Sequence, residues 1–153
     1  MTVEHSALTG SSLHEPKGVA SATAGKVYVA NGSGSGAWTL GNTRSVQVEL
    51  DDISTASSAY VVCPFAGTVT KIHSVLHSAI TVADSALTTA INGTAITNGN
   101  WVVAFTASAA GDVDSATPTA ANTVAIGDAL RVTTDGASTT AARLTITFTI
   151  KVS

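Results

Sequence analysis

The stretch that decides the fold is Arg143-Leu144-Thr145-Ile146-Thr147-Phe148-Thr149-Ile150-Lys151-Val152, near the end of a 153-residue sequence. Leu144, Ile146, Phe148, Ile150 and Val152 alternate with Arg143, Thr145, Thr147, Thr149 and Lys151. Successive side chains of a β-strand point to opposite faces. This period of two therefore predicts a long strand with one apolar face and one threonine-rich wet face. Val and Thr both fit a pleated surface.

The same period recurs upstream. Val46, Val48 and Leu50 alternate with Ser45, Gln47 and Glu49, which reads as a strand with one buried face. Ala59 to Cys63 is a nearly continuous apolar strand, with Pro64 and Gly67 framing the turn after it. Thr68 to Leu76 is β-branched and extended, and Trp101 to Thr106 is apolar at almost every position. Ala129 to Thr134 puts Leu130 and Val132 on one face, and Asp135-Gly136 closes it with a turn. Ala79 to Ile91 admits a helix as readily as a strand. Ile80, Ala83, Leu87 and Ile91 fit one helix face, whereas Thr81, Val82, Thr88 and Thr89 lower helix propensity. Gly111 to Asn122 reads as a polar loop containing Pro118. Roughly eight irregularly spaced strands predict an all-β fold, an antiparallel two-sheet β-sandwich that is jelly-roll-like, with the strand order left open.

Residues 1–44 read differently, as an extended N-terminal arm, with the sandwich body over residues 45–153. Met1 to Thr23 is polar and small, with Pro16 and Gly18 in its middle. A short alternation at Lys26 to Ala30 ends in Asn31-Gly32-Ser33-Gly34-Ser35-Gly36, and Trp38 and Leu40 follow. Glycine at that density gives turns rather than a core. The arm is expected to carry one or two short strands and to be ordered only by docking on its own body or a neighbour.

Composition excludes several partners. Charged residues are 11% and the net charge is −3, so there is no basic face for a nucleic acid. No run approaches the roughly 20 apolar residues of a membrane span. MTVEHSALTGSS has no basic-then-apolar run and is not read as a secretory signal. One cysteine, Cys63, allows no disulfide within the chain.

Candidate chemistry is sparse. His73 and His77 share a strand face but span about 13 Å, too far to chelate one metal directly, and read as polar surface or interface residues. Asp51-Asp52 before Ser54, Asp112, Asp114 and Asp128 read as turn residues rather than a cation loop. Cys63 lies in an apolar run and reads as a core residue. No Gly-x-Ser-x-Gly elbow or phosphate loop is present. Carbohydrate binding rests on Tyr28, Trp38, Tyr60 and Trp101. Tyr60 and Trp101 fall in core-like strands, and Trp38 reads as an anchor for the arm.

Three stretches carry a likeness to known proteins: Leu13-His14-Glu15-Pro16-Lys17-Gly18-Val19-Ala20, Gly25 to Trp38, and Cys63-Pro64-Phe65-Ala66-Gly67-Thr68-Val69-Thr70-Lys71-Ile72. With Gly111-Asp112-Val113-Asp114 and Ala120 to Asp128, the sequence resembles tailed-bacteriophage capsid decoration (cement) and head fibre proteins over most of its length. The resemblance implies a structural virion protein, not an enzyme, with no catalytic residue, cofactor or metal. It implies that the protein binds the outer face of the major capsid protein shell and stabilises it. Self-association as a homotrimer is implied, with no nucleic-acid or membrane partner. The place implied is the capsid exterior, after the host cytoplasm during assembly. His14, Pro16, Tyr28 and Trp38 are the expected capsid or subunit interface residues. The competing readings are a phage fibre or receptor-binding, carbohydrate-binding virion protein, and a non-viral carbohydrate-binding module.

Overall fold

The computed structural model describes residues 26–30, 33, 36–39 and 43–152. Contacts divide the chain into two units, Met1–Gly41 and Asn42–Ser153. In the first, β1 (Val27–Ala30) and β2 (Gly36–Thr39) form an antiparallel hairpin with Tyr28 opposite Trp38. These are the two short strands expected of the arm. Gly36 is required here, because a Cβ would run into the Val29 carbonyl and the Tyr28 ring.

The second unit holds β3 (Thr43–Leu50), β4 (Ser57–Val62), β5 (Gly67–Leu76), β6 (Ser85–Ile91), β7 (Thr94–Ala95) and β8 (Trp101–Val103). They are followed by β9 (Val113–Ala116), β10 (Thr123–Val124), β11 (Ala129–Thr134) and β12 (Leu144–Val152). β3 starts at Thr43, inside the stretch expected to be arm. One sheet runs β3, β12, β5, with β9 and β10 both on the far side of β5. The other runs β4, β11, β6, with β7 and β8 both on the far side of β6. All pairings are antiparallel. With β7 and β10 counted as short side pieces, the principal strands are ordered 1-8-3-6 in one sheet and 2-7-4-5 in the other. That is the double Greek key of a jelly roll.

β12 lies between β3 and β5, which explains its strict alternation. Leu144, Ile146, Phe148 and Ile150 are wholly buried between the sheets. Val46, Leu50, Val69, Ile72 and Leu76 join them from the same sheet, and Leu87, Leu130 and Val132 from the other. Thr70 is an extra residue in β5, skipped between the pairs Thr149–Lys71 and Ile150–Val69. The bulge lets Val69 and Ile72 both face the core. Two buried hydroxyls are matched: Thr134 Oγ1 donates to the Ile53 carbonyl (3.2 Å) and accepts from Ser85 Oγ (2.9 Å).

The structure settles one open reading and corrects three expectations. Ala79 to Ile91 holds no helix. It is a loop leading into β6, where Ser85, Leu87, Thr89 and Ile91 share the inner face. Partnered on both sides by β11 and by β7 and β8, the segment gains more from sheet pairing than helix propensity offers. The strand expected over Trp101 to Thr106 stops at Val103, because Phe105 enters a turn whose carbonyl accepts from Ser108 N. Gly111 to Asn122 is not simple loop: β9 pairs Val113–Ala116 with Val75–Ile72. Tyr60 is not core-like. It is 63% exposed, because β4 alternates Ala59, Val61 and Cys63 inward with Ser58, Tyr60 and Val62 outward.

The two flanks of the sandwich differ. On one, β9, β10, β7 and β8 are two to four residues each. Asp114 lies opposite the buried Ser74 and so faces inward. Short strands and an inward charge blunt an edge against further pairing. On the other flank, β3 and β4 are eight and six residues long and regular. No helix occurs among the described residues, so none of them forms an apolar helical membrane span.

Candidate functional site

Four side chains on the outer face of the first sheet close a hydrogen-bonded ring. Thr145 Oγ1 donates to Glu49 Oε1 (2.9 Å) and lies 2.8 Å from His77 Nε2. With the hydroxyl proton committed to Glu49, His77 must donate from Nε2, and its Nδ1 then accepts from Arg143 Nη2 (3.3 Å). Arg143 Nη1 stands 3.8 Å from Glu49 Oε2 and completes the circuit. The members meet because Glu49 pairs with Thr145 across β3 and β12, and Arg143 and His77 lie just beyond β12 and β5. His77 acts here as donor, so it cannot draw a proton from Thr145. The ring fixes surface side chains and leaves no activated nucleophile within it. His73 lies four residues before His77 on the same face, opposite Thr147 and Ser115. Among the described residues, no three His, Cys, Asp or Glu side chains gather into a metal site.

An open cleft of about 350 Å³ adjoins Glu49, lined by Asp51, Asp52, Thr55, Ser57 and Ser58 among others. Asp52 Oδ1 accepts from Ser54 Oγ (2.7 Å) and Ser54 N (2.8 Å), which hold its carboxyl below the usual carboxylate range. Asp128 does the same for Ala125 N (2.7 Å) and also accepts from Asn92 Nδ2, again lowering its pKa. Asp112 Oδ2 accepts from Ala109 N. These three carboxylates close turns, as their sequence contexts predict. Asp114 behaves oppositely: burial first, then Asp112 nearby, push its pKa up. Cys63 is buried and donates its thiol hydrogen to the Phe65 carbonyl (3.1 Å), in keeping with a core role.

His14 and Pro16 lie outside the described residues. Tyr28 and Trp38 come together in the hairpin, edge to face, with ring centroids 5.4 Å apart. Val27 and Val29 are exposed on the hairpin's other face. Four residue pairs make no core, and a lone two-stranded hairpin is marginal in water. Trp101 is buried in the sandwich and offers no stacking platform for a sugar.

The outer face of the second sheet was not read as a site in the sequence. Its central row runs Tyr60, Arg131, Ala90, Ala95 across β4, β11, β6 and β7. Val62 lies beside it, 62% exposed, and Val102 on β8 is 50% exposed. The outward side chains otherwise are Ala129, Thr133, Ala86, Thr88 and Ser58, with no carboxylate on the strands of this face. The signal available was the parity of β4, which puts Tyr60 opposite in phase to Cys63.

No family model, curated protein or solved structure matches this chain.

Proposed function

We propose that this protein is a structural virion protein that decorates a tailed-bacteriophage capsid, binding the outer face of the major capsid protein shell and stabilising it as a homotrimer. The observation that carries this reading is the β1–β2 hairpin. Among the described residues it has no buried core, an aromatic pair on one face and exposed valines on the other. An element so built is stabilised by a surface it lies on. The sequence resemblance supplies the identity of that surface. The sandwich supports the same reading, because its first sheet presents a threonine-lined face whose polar groups bond to one another.

The test is to add purified protein to shells assembled without it. Expected are many copies on the capsid exterior by electron microscopy and a higher shell disruption temperature. Deleting residues 1–41 is expected to abolish attachment and leave the body folded. Copies confined to the tail would overturn decoration in favour of the fibre reading.

A further inference from the structure

We propose that the outer face of the β4–β11–β6–β7 sheet is a self-association surface that seats on a second copy of this chain, with Arg131 paired to Asp51 of that copy. The inference rests on the self-association part of the reading above and names the surface responsible.

Arg131 lies in the central row of this face, between Tyr60 and Ala90. Its Nε is buried and has no hydrogen bond, and the side chain has no ion-pair partner among the described residues. A guanidinium already partly out of water, with a donor unmet, is unfavourable in an isolated protomer. An arriving carboxylate gains more from such a group than from a fully hydrated one. Around it Tyr60 stands on one side, with the buried Ala90 and the exposed Ala95 on the other, Val62 and Val102 exposed nearby, and Ser58, Thr88 and Thr133 between. Tyr and Arg are the residue types enriched at interface centres. A sugar would need many polar groups here, yet Ser58 and Thr133 bond to each other (2.7 Å).

Charge complementarity selects the occupant. The face carries one cation and no acid. Among the described carboxylates, Asp51 and Asp114 lack a hydrogen-bond or ion-pair partner, and Asp114 faces inward. Asp51 is exposed at the turn after β3. A second copy therefore offers the missing charge at its own surface. Asp51 lines the cleft beside Ser57 and Ser58, at the β4 border of this face, so the pair joins unlike residues of two copies, a contact that fits a two-fold dimer or a ring whose rotation closes. β4 is also the regular, unblunted edge of this sheet, which a neighbour would cover.

The experiment measures the mass of the full-length protein by light scattering over a concentration series. Arg131→Glu, Tyr60→Ser and Asp51→Arg are each expected to weaken association by about tenfold or more. All three sites are at least partly exposed, and unchanged circular dichroism and urea unfolding would show that the fold survives. Arg131→Glu combined with Asp51→Arg is expected to restore association. Unchanged mass in Arg131→Glu and Tyr60→Ser overturns the proposal, as does a double variant that fails to recover. A monomeric wild type that still attaches to shells overturns it too, while leaving decoration standing.

Discussion

Trp101 donates its indole N–H to the Ser74 hydroxyl at 2.9 Å, a buried bond that ties the two sheets across the core. Trp101 comes from β8 in one sheet and Ser74 from β5 in the other. Ser74→Ala leaves the indole N–H buried without an acceptor. The expected cost is about 1–3 kcal/mol in urea unfolding. Trp101→Phe with Ser74→Ala should cost less than the two single changes summed, and strict additivity would show that the bond contributes nothing.

Gly136 turns the chain after β11 with φ of 73°, and a Cβ there would strike the Ala56 backbone. Gly127 has a similar φ of 91° but open space around it. Gly136→Ala is therefore expected to destabilise by more than Gly127→Ala, which itself should exceed about 1 kcal/mol. Equal losses in thermal unfolding would mean that the Ala56 backbone yields freely.

Asp114 has its pKa raised in the folded state, so its ionisation opposes folding. The sign follows: the native protein binds the proton more tightly than the unfolded chain, and stability falls as pH rises through the window above the ordinary Asp value. Asp114→Asn should raise the urea midpoint at pH 7. The gain should vanish below the ordinary Asp range, where both states are protonated. A gain that is independent of pH would point to some other cause.

Val82 has φ of 77° in a three-residue turn, with Ala83 N donating to the Thr81 carbonyl. A β-branched residue is strained there. Val82 is largely exposed, so little packing is lost on substitution. Val82→Gly is expected to stabilise by on the order of 1 kcal/mol, strain relief exceeding the added freedom of the unfolded chain. A lower melting temperature would contradict this.

The alternation in β12 was legible from the sequence because a central strand with one wet face must obey period two along its whole length. Val46 to Leu50 and Leu130 to Val132 were legible for the same reason. The Ala79 to Ile91 stretch was not, because its apolar spacing satisfies both periods and only pairing with β11 settles it. The Gly111 to Asn122 stretch was not, because β9 has almost no apolar signal and is a strand only through its bonds to β5. Residue type alone placed the turn-closing Asp52, Asp112 and Asp128.

The sequence by itself determined that the chain is all-β, where its strongest strands lie and that no internal disulfide holds it, since those follow from period, turn residues and composition. The tertiary structure decided which sheet each strand joins, that Tyr60 faces water, and that Glu49, His77, Thr145 and Arg143 meet. It also decided that Arg131 Nε is buried without a hydrogen bond on the outer face of its sheet. The physical reason is that pairing across a sheet brings together residues far apart in the chain, and no local pattern records which strand will be the neighbour.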